Sequence, residues 1–144
     1  MKRTAKARWD GSLKEGKGTL STQSPALFNI PYSYTSRFEE GMGTNPEELI
    51  AAAHAGCFSM AFSSELGKAG FSPDSIETKA TITLESGAIR TSVLEVKAKV
   101  PGIDSETLNR IANEAKENCP VSKALNVAIS MELEEVKELE SIKL

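Results

Sequence analysis

The stretch that decides the fold is TNPEELIAAAHAGCFSM, residues 44–60. Asn45 is a good N-cap, and Pro46 stands at the first helical position, where a missing N–H costs nothing. Glu48 lies three residues after Asn45, as in a capping box, and Glu47 and Glu48 both suit the positive end of the helix dipole. Gly70 supplies the C-terminal stop. The spacing therefore predicts a helix of about 24 residues, roughly 36 Å long. From Leu49 to Phe58 this helix has no polar stripe. A helix that is apolar all round is expected to be buried all round. A chain of 144 residues with one other good helix would struggle to cover such a rod alone. The Ala and Gly run also lets another backbone approach closely. Both points predict a homodimer with this helix near its centre.

Outward from the helix, the rest reads as short strands and one more helix. Residues 2–10 and 17–22 predict two strands around the Gly11–Gly16 turn. Tyr32 to Phe38 alternates, with Ser33, Thr35 and Arg37 on one face and Tyr32, Tyr34 and Phe38 on the other, which predicts a strand. A loop with Gly41 and Gly43 leads to Asn45. Beyond the helix, Ile76, Thr78, Ala80, Ile82 and Leu84 share one strand face, and Leu94, Val96, Ala98 and Val100 share another, with a hairpin loop at Glu85–Ala88. Asp104 caps a second helix with Leu108, Ile111, Ala112 and Ala115 on one side, ending near Asn118. Cys119-Pro120 follows, where the proline discourages further helix. Val127, Ile129, Met131 and Leu133 alternate in a last strand, and the charged tail from about residue 135 is expected to fray. The reading is one α+β domain over residues 1–144.

Composition narrows the function classes. A net charge of −3 leaves no basic stripe for neutralising phosphates, which argues against a nucleic-acid partner. The longest uncharged stretch, Leu49–Ser64, falls short of the roughly 20 apolar residues of a bilayer span, so no membrane partner is expected. Trp9-Asp10-Gly11 stands where a secretory signal would need apolar residues, and a cytoplasmic setting is expected. There are two cysteines, Cys57 and Cys119. In a reducing compartment a static disulfide is unfavoured, so such a pair points to redox chemistry, metal binding or two inert buried thiols.

Cys57 is either a small core residue or a nucleophile. The second role needs a thiolate, and only about 3% of an ordinary thiol is ionised at pH 7. A cation must sit nearby, yet no Lys or Arg occurs from Phe38 through Gly67. Arg37 is the nearest upstream cation, with an exposed edge charge as its plainer reading. Glu47, less committed to the helix cap than Glu48, is placed to hold Arg37 through a bidentate ion pair. His54, three residues before Cys57, reads either as a general base or, more often for a single histidine in an apolar helix, as a core residue with one hydrogen bond. A metal site of Cys57, Cys119 and His54 is a weak reading without a Cys-x-x-Cys pair or a His cluster. Two classes stay open on these residues: a thiol enzyme, or a non-catalytic binding module with structural or metal-holding cysteines.

Several segments together resemble one known family. These are Arg37-Phe38-Glu39, then Gly43-Thr44-Asn45-Pro46-Glu47-Glu48-Leu49, then Ala52-Ala53-His54-Ala55-Gly56-Cys57-Phe58-Ser59-Met60. Trp9-Asp10-Gly11, Gly16-Lys17-Gly18-Thr19, Val100-Pro101-Gly102-Ile103-Asp104 and Cys119-Pro120-Val121-Ser122 belong with them. In this order they resemble the osmotically inducible protein C (OsmC) family over nearly the whole chain. The likeness is nearer to the OsmC branch than to the organic hydroperoxide resistance branch. The resemblance implies an α+β fold in an intertwined homodimer, with long central helices surrounded by antiparallel β-sheets and active sites at the interface. It implies a thiol-dependent, peroxiredoxin-like peroxidase that reduces organic hydroperoxides to alcohols in oxidative or osmotic stress defence. Cys57 would be the peroxidatic cysteine and Cys119 the resolving one, joined in a disulfide after turnover. Arg37 would stabilise the thiolate and Glu47 would orient Arg37. No cofactor or metal is implied, only an external dithiol reductant. Phe28, Phe58, Met60 and Phe62 are expected to form an apolar wall for alkyl hydroperoxides.

Overall fold

A computed structural model describes residues 1–137, and they gather into two compact units, Met1–Leu49 and the chain from Ile50 onward. Residues 138–144, most of the charged tail expected to fray, lie outside the described residues.

The first unit is built on a three-stranded antiparallel sheet of β1 (Ala5–Asp10), β2 (Lys17–Thr22) and β3 (Ile30–Tyr32), in that order. The turn between β1 and β2 closes through the Gly16 N–H donating to the Ser12 carbonyl at 2.8 Å, with Gly11 at φ +99°. Trp9 packs on Tyr32 across the sheet, ring centroids 5.4 Å apart.

The strand expected over Tyr32–Phe38 is not there. β3 stops at Tyr32, and Tyr34–Phe38 forms a short helix, α1. The cause is local. Ser33 caps the helix, its hydroxyl accepting from the Ser36 N–H, while the Ser36 hydroxyl accepts from the Ser33 N–H at 2.7 Å. This reciprocal cap satisfies the backbone and overrides the alternating pattern.

The long helix, α2, runs over Pro46–Lys68. Asn45 caps it as expected, its Oδ1 accepting from the Glu48 N–H at 2.7 Å. The Glu48 carboxylate does not close the box; it accepts from the Thr44 hydroxyl at 2.8 Å. Gly70, at φ +91°, ends the helix, and the Phe71 N–H donates back to the Leu66 carbonyl at 2.9 Å. By length and composition alone α2 would also pass for a membrane span. Its stripe of His54, Phe58, Phe62 and Leu66 is instead built into the protein core, and charged residues stand at both ends.

The second unit holds that core. β4 (Ser75–Glu85) and β5 (Ala88–Lys99) pair antiparallel through a tight turn with Ser86 and Gly87 at φ +52° and +76°, the signature of a type I′ hairpin. α3 (Ser105–Asn118) starts on the Asp104 cap and buries Leu108, Ile111, Ala112 and Ala115, the face read from the sequence. Leu94, Val96 and Ala98 of β5, with Val100 just beyond, meet this face and the α2 stripe in one cluster. The chain then forms a short helix, α4 (Pro120–Ala124), and a last strand, β6 (Ala128–Glu135), with Ile129, Met131 and Leu133 packed against the cluster. β6 lies parallel to β5. This is the one pair in which the described sheets depart from the antiparallel expectation, and α3 with α4 supplies the crossover that a parallel pair needs.

The expectation that α2 is buried all round fails for the single chain. Only the stripe at four-residue spacing is buried, while Ala52, Ala53, Gly56 and Met60 are exposed.

Candidate active site

In the first unit, α1 and the start of α2 hold one pair of the expected residues together. The loop between the helices is pinned by the Thr44 N–H donating to the Pro31 carbonyl at 2.9 Å. The Asn45 side-chain amide donates to the Ser36 carbonyl at 3.1 Å. These bonds set Arg37, in the last turn of α1, against Glu47 in the first turn of α2. Arg37 Nε donates to Glu47 Oε1 at 3.0 Å. The contact is a single bond rather than the bidentate pair expected. The other carboxylate oxygen, Oε2, is buried and has no partner among the described residues. The guanidinium also lies over the Phe38 ring, 4.9 Å from its centroid. Beside it opens a cleft of about 280 Å³ lined by Trp9, Leu13, Tyr32, Ser33, Tyr34, Arg37 and Phe38.

In the second unit, the two cysteines come together. Both are free thiols; Cys57 is partly exposed and Cys119 is fully buried. Cys119 is the hinge between two helices, ending α3 and opening α4, with its N–H donating to the Ala115 carbonyl at 2.9 Å. Burial pushes the Cys57 thiol up from its ordinary value; the neighbouring Cys119 sulfur adds to this, and the Val121 backbone offsets part of it. Burial acts on Cys119 in the same sense, but hydrogen bonding from Cys57, from the Ser122 backbone and hydroxyl, and from the Val121 backbone outweighs it, so Cys119 is lowered. Cys119 makes no side-chain capping bond to α4, but the Val121 and Ser122 N–H groups of its first turn have no intrahelical partner and favour the charged sulfur. Within its own unit, then, the pair favours charge on Cys119, with Cys57 as its donor.

His54 is fully buried. Its Nδ1 lies 2.6 Å from the Ser92 hydroxyl and its Nε2 lies 2.8 Å from the Ser122 hydroxyl. Burial lowers its pKa from 6.5, so the ring is neutral at pH 7. Both nitrogens are engaged, which makes two hydrogen bonds rather than the one expected and leaves no free lone pair for a metal. Ser92 and Ser122 were not singled out for chemistry in the sequence. Their signal was faint: Ser92 is the polar member of an otherwise apolar buried strand face, and Ser122 closes the Cys119-Pro120-Val121-Ser122 segment.

The apolar wall expected from four residues is not a unit. Phe58 and Phe62 are core residues, 5.6 Å apart by ring centroid, whereas Phe28 and Met60 are exposed. The cleft at Arg37 is an apolar hollow beside a cation.

A cysteine on a long α2, a second at the joint of two helices, and an Arg–Glu pair across the α2 start are the arrangement in which the segments that resemble the OsmC family meet. The OsmC-like protein family model matches residues 39–134, and the chain belongs to this family. It is 49% identical over 130 residues to a peroxiredoxin OsmC of Escherichia coli, covering 88% of this chain and 91% of that protein. It is 34% identical over 128 residues to the organic hydroperoxide resistance protein OhrB of Bacillus subtilis, covering 85% of this chain and 93% of that one. Among solved structures, the Bacillus subtilis OhrB crystal structure superposes with a TM-score of 0.64 at 26% identity, over 91% of this chain and 98% of that one. An OsmC-like protein from Mycoplasma pneumoniae, at 14% identity, shares the fold with a TM-score of 0.73, over 94% and 98% of the two chains.

Proposed function

We propose that the chain is a thiol-dependent peroxidase that reduces organic hydroperoxides to alcohols in a reducing, cytoplasmic setting. The observation that carries this reading is the unequal pair: a partly exposed thiol, Cys57, in contact with a buried thiol, Cys119. The names of the relatives, peroxiredoxin and organic hydroperoxide resistance protein, point to the same chemistry.

Accessibility assigns the roles. Cys119 carries the lower pKa but is closed to a substrate, whereas peroxide can reach Cys57. The Cys57 thiolate attacks the distal peroxide oxygen, the O–O bond breaks, and the departing alkoxide takes a proton to become the alcohol. Cys57 is left as a sulfenic acid. Cys119 then attacks the Cys57 sulfur, the S–O bond breaks, and water leaves with the proton that Cys119 gives up. An external dithiol reduces the disulfide and is itself oxidised. No step calls for a metal or organic cofactor.

Cys57 needs a cation to become the thiolate, because its own surroundings push the thiol up. Arg37, oriented by Glu47, is the cation we assign. Ten residues on an unbroken helix span roughly 15 Å, about three times the reach of a carboxylate. Two antiparallel copies of α2 would instead bring Glu47 of one protomer beside Cys57 of the other. The exposed Ala52, Ala53 and Gly56 support such a contact, since a side chain placed on Gly56 meets nothing within 4 Å in the chain itself. The unpartnered Glu47 Oε2 also suits an incoming donor. The functional unit is thus a homodimer with composite sites. The cleft beside Arg37, walled by Trp9, Leu13, Tyr34 and Phe38, would take the alkyl group.

The test is peroxide consumption by metal-free protein with a dithiol reductant. An alkyl hydroperoxide should be turned over many times per protein. Absence of turnover with both thiols reduced would leave the non-catalytic binding module as the better reading.

A further inference from the structure

The peroxidase reading uses neither His54 nor its two serines, although a fully buried imidazole with both nitrogens hydrogen-bonded takes three elements to assemble. Ser92 comes from β5, His54 from α2 and Ser122 from α4. The arrangement ends beside sulfur: Cys119, fully buried, opens α4, and Ser122, three residues on in the same first helical turn, is buried with it and held by His54; its hydroxyl acts to lower the Cys119 thiol. Of the titratable groups, Cys57 acts on that sulfur directly and His54 reaches it through Ser122.

We propose that His54 is a positioning residue for Cys119: through Ser122 it aims a hydroxyl proton at the Cys119 sulfur, readying that buried sulfur both to attack oxidised Cys57 and to leave again when the disulfide is reduced. The inference rests on the resolving role given to Cys119.

The hydrogen-bond directions follow from donor counting. A hydroxyl has one proton to give. For Ser122 to donate to a Cys119 thiolate, its oxygen must accept from His54, so Nε2 carries the ring proton. Nδ1 then accepts from the Ser92 hydroxyl, and Ser92 selects the tautomer that turns Ser122 toward sulfur. Neutral imidazole suits this task, and burial keeps it neutral.

Both halves of the cycle use the same aimed proton. In closure, Cys119 forms the S–S bond as the Cys57 S–O bond breaks, with the electron pair leaving on oxygen and water as the product. In reopening, a thiolate of the external dithiol attacks Cys57, the more accessible sulfur, and the S–S electron pair passes to Cys119. A sulfur with the lower pKa leaves faster. The second thiol of the reductant then releases Cys57, so the dithiol loses two electrons and the protein pair gains them. Ser122 and the start of α4 thereby fix which sulfur departs.

The test reads Cys119 ionisation in a Cys57→Ser background, where it is the only thiol, by thiolate absorbance near 240 nm against pH. Ser122→Ala should raise the midpoint by about one pH unit, a tenfold loss of thiolate at a given pH below it. His54→Gln should raise it in the same direction, and the double variant should go no further than Ser122→Ala alone. Ser122→Thr, which keeps the hydroxyl, should titrate like its parent. Should His54→Gln fail to fold by circular dichroism, Ser92→Ala disturbs the tautomer without touching the ring and should give a smaller rise. Because His54 is the only histidine in the chain, its ring ¹⁵N shifts read the tautomer without assignment. The Nε2–H form should dominate where Cys119 is ionised. An unmoved midpoint in folded Ser122→Ala, additive shifts for His54 and Ser122, or an Nδ1–H tautomer beside the thiolate would overturn the proposal. Loss of peroxide turnover by the parent chain would instead strike the peroxidase reading and leave this titration untouched.

Discussion

His54 and the two cysteines carry the information at the scale of single residues, and each makes a separate prediction. His54 is buried neutral, with its pKa held below 6.5 by burial. The unfolded chain binds a proton there near 6.5 and the folded chain resists it. Stability from this source is therefore intact above about pH 6.5 and is lost as pH falls below it, by at most about 1.4 kcal/mol per pH unit. Urea unfolding between pH 7.5 and 5 should show that slope in the parent, and His54→Gln should flatten it while lowering stability overall. A parent slope no steeper than the variant's would mean that the ring is protonated in the fold. The thiols differ in exposure, and so in consequence. Cys57→Ser should abolish turnover of an alkyl hydroperoxide. Cys119→Ser should still allow one attack and leave a sulfenic acid on Cys57, which dimedone should label stoichiometrically. Multi-turnover activity in Cys57→Ser would end the peroxidatic assignment. The pairing of two thiols was legible in the sequence only as one option among three, because spacing in the chain does not say which side chains meet. Ser92 and Ser122 were less legible still, since a serine on an apolar face signals little until its partner is seen.

At the scale of elements, α1 is a five-residue helix whose consequence is to place Arg37 against Glu47. If that guanidinium supplies the cation for Cys57, Arg37→Ala should slow the first, peroxide-dependent step at neutral pH by at least tenfold, which is a loss of about 1.4 kcal/mol of stabilisation. Part of the rate should return in alkaline buffer, where the thiolate forms unaided. A pH–rate profile identical to the parent's would remove Arg37 from the mechanism. α1 was misread as a strand because alternation of Tyr32, Tyr34 and Phe38 against Ser33, Thr35 and Arg37 is a weak signal over seven residues. Ser33 and Ser36 decide the matter through two local hydrogen bonds. Pro120 misled in the opposite direction: it ends α3 as expected but stands at the first position of α4, where proline is at home. By contrast, α2 and α3 were legible nearly to the residue, because Asn45 and Asp104 cap them and the apolar faces behind the caps are long. The parallel pairing of β6 could not be read from its alternation, which is the same for either direction.

The largest scale is that of the proposed homodimer. From Leu49 to Phe58 α2 has no polar stripe, yet along the whole helix its own chain buries only the stripe through His54, Phe58, Phe62 and Leu66. The sequence-based expectation of complete burial was wrong for one chain for the same reason that it pointed to two. Exposed Ala52, Ala53, Gly56 and Met60 form a surface smooth enough for a second backbone, and an added side chain at Gly56 finds open space. Gly56→Leu should thus leave the chain folded, with a gain of up to about 1 kcal/mol from helix propensity, but weaken self-association measured by sedimentation. The stronger test uses the sites themselves. In a homodimer with composite sites, each site takes Cys57 and Cys119 from one protomer and Arg37 with Glu47 from the other. Cys57→Ser protein alone has no competent nucleophile, and Glu47→Ala protein alone has no oriented cation. A mixed dimer carries one site in which both defects fall together and one in which neither does. Mixing the two impaired proteins under conditions of subunit exchange should therefore restore activity, approaching one quarter of the parent value per protomer when exchange is random, since about half of the dimers are mixed and each has one working site of two. If every site were built within one chain, one protomer of each mixed dimer would lack the nucleophile and the other the oriented cation, both sites would be impaired, and no activity above that of the separate variants would appear.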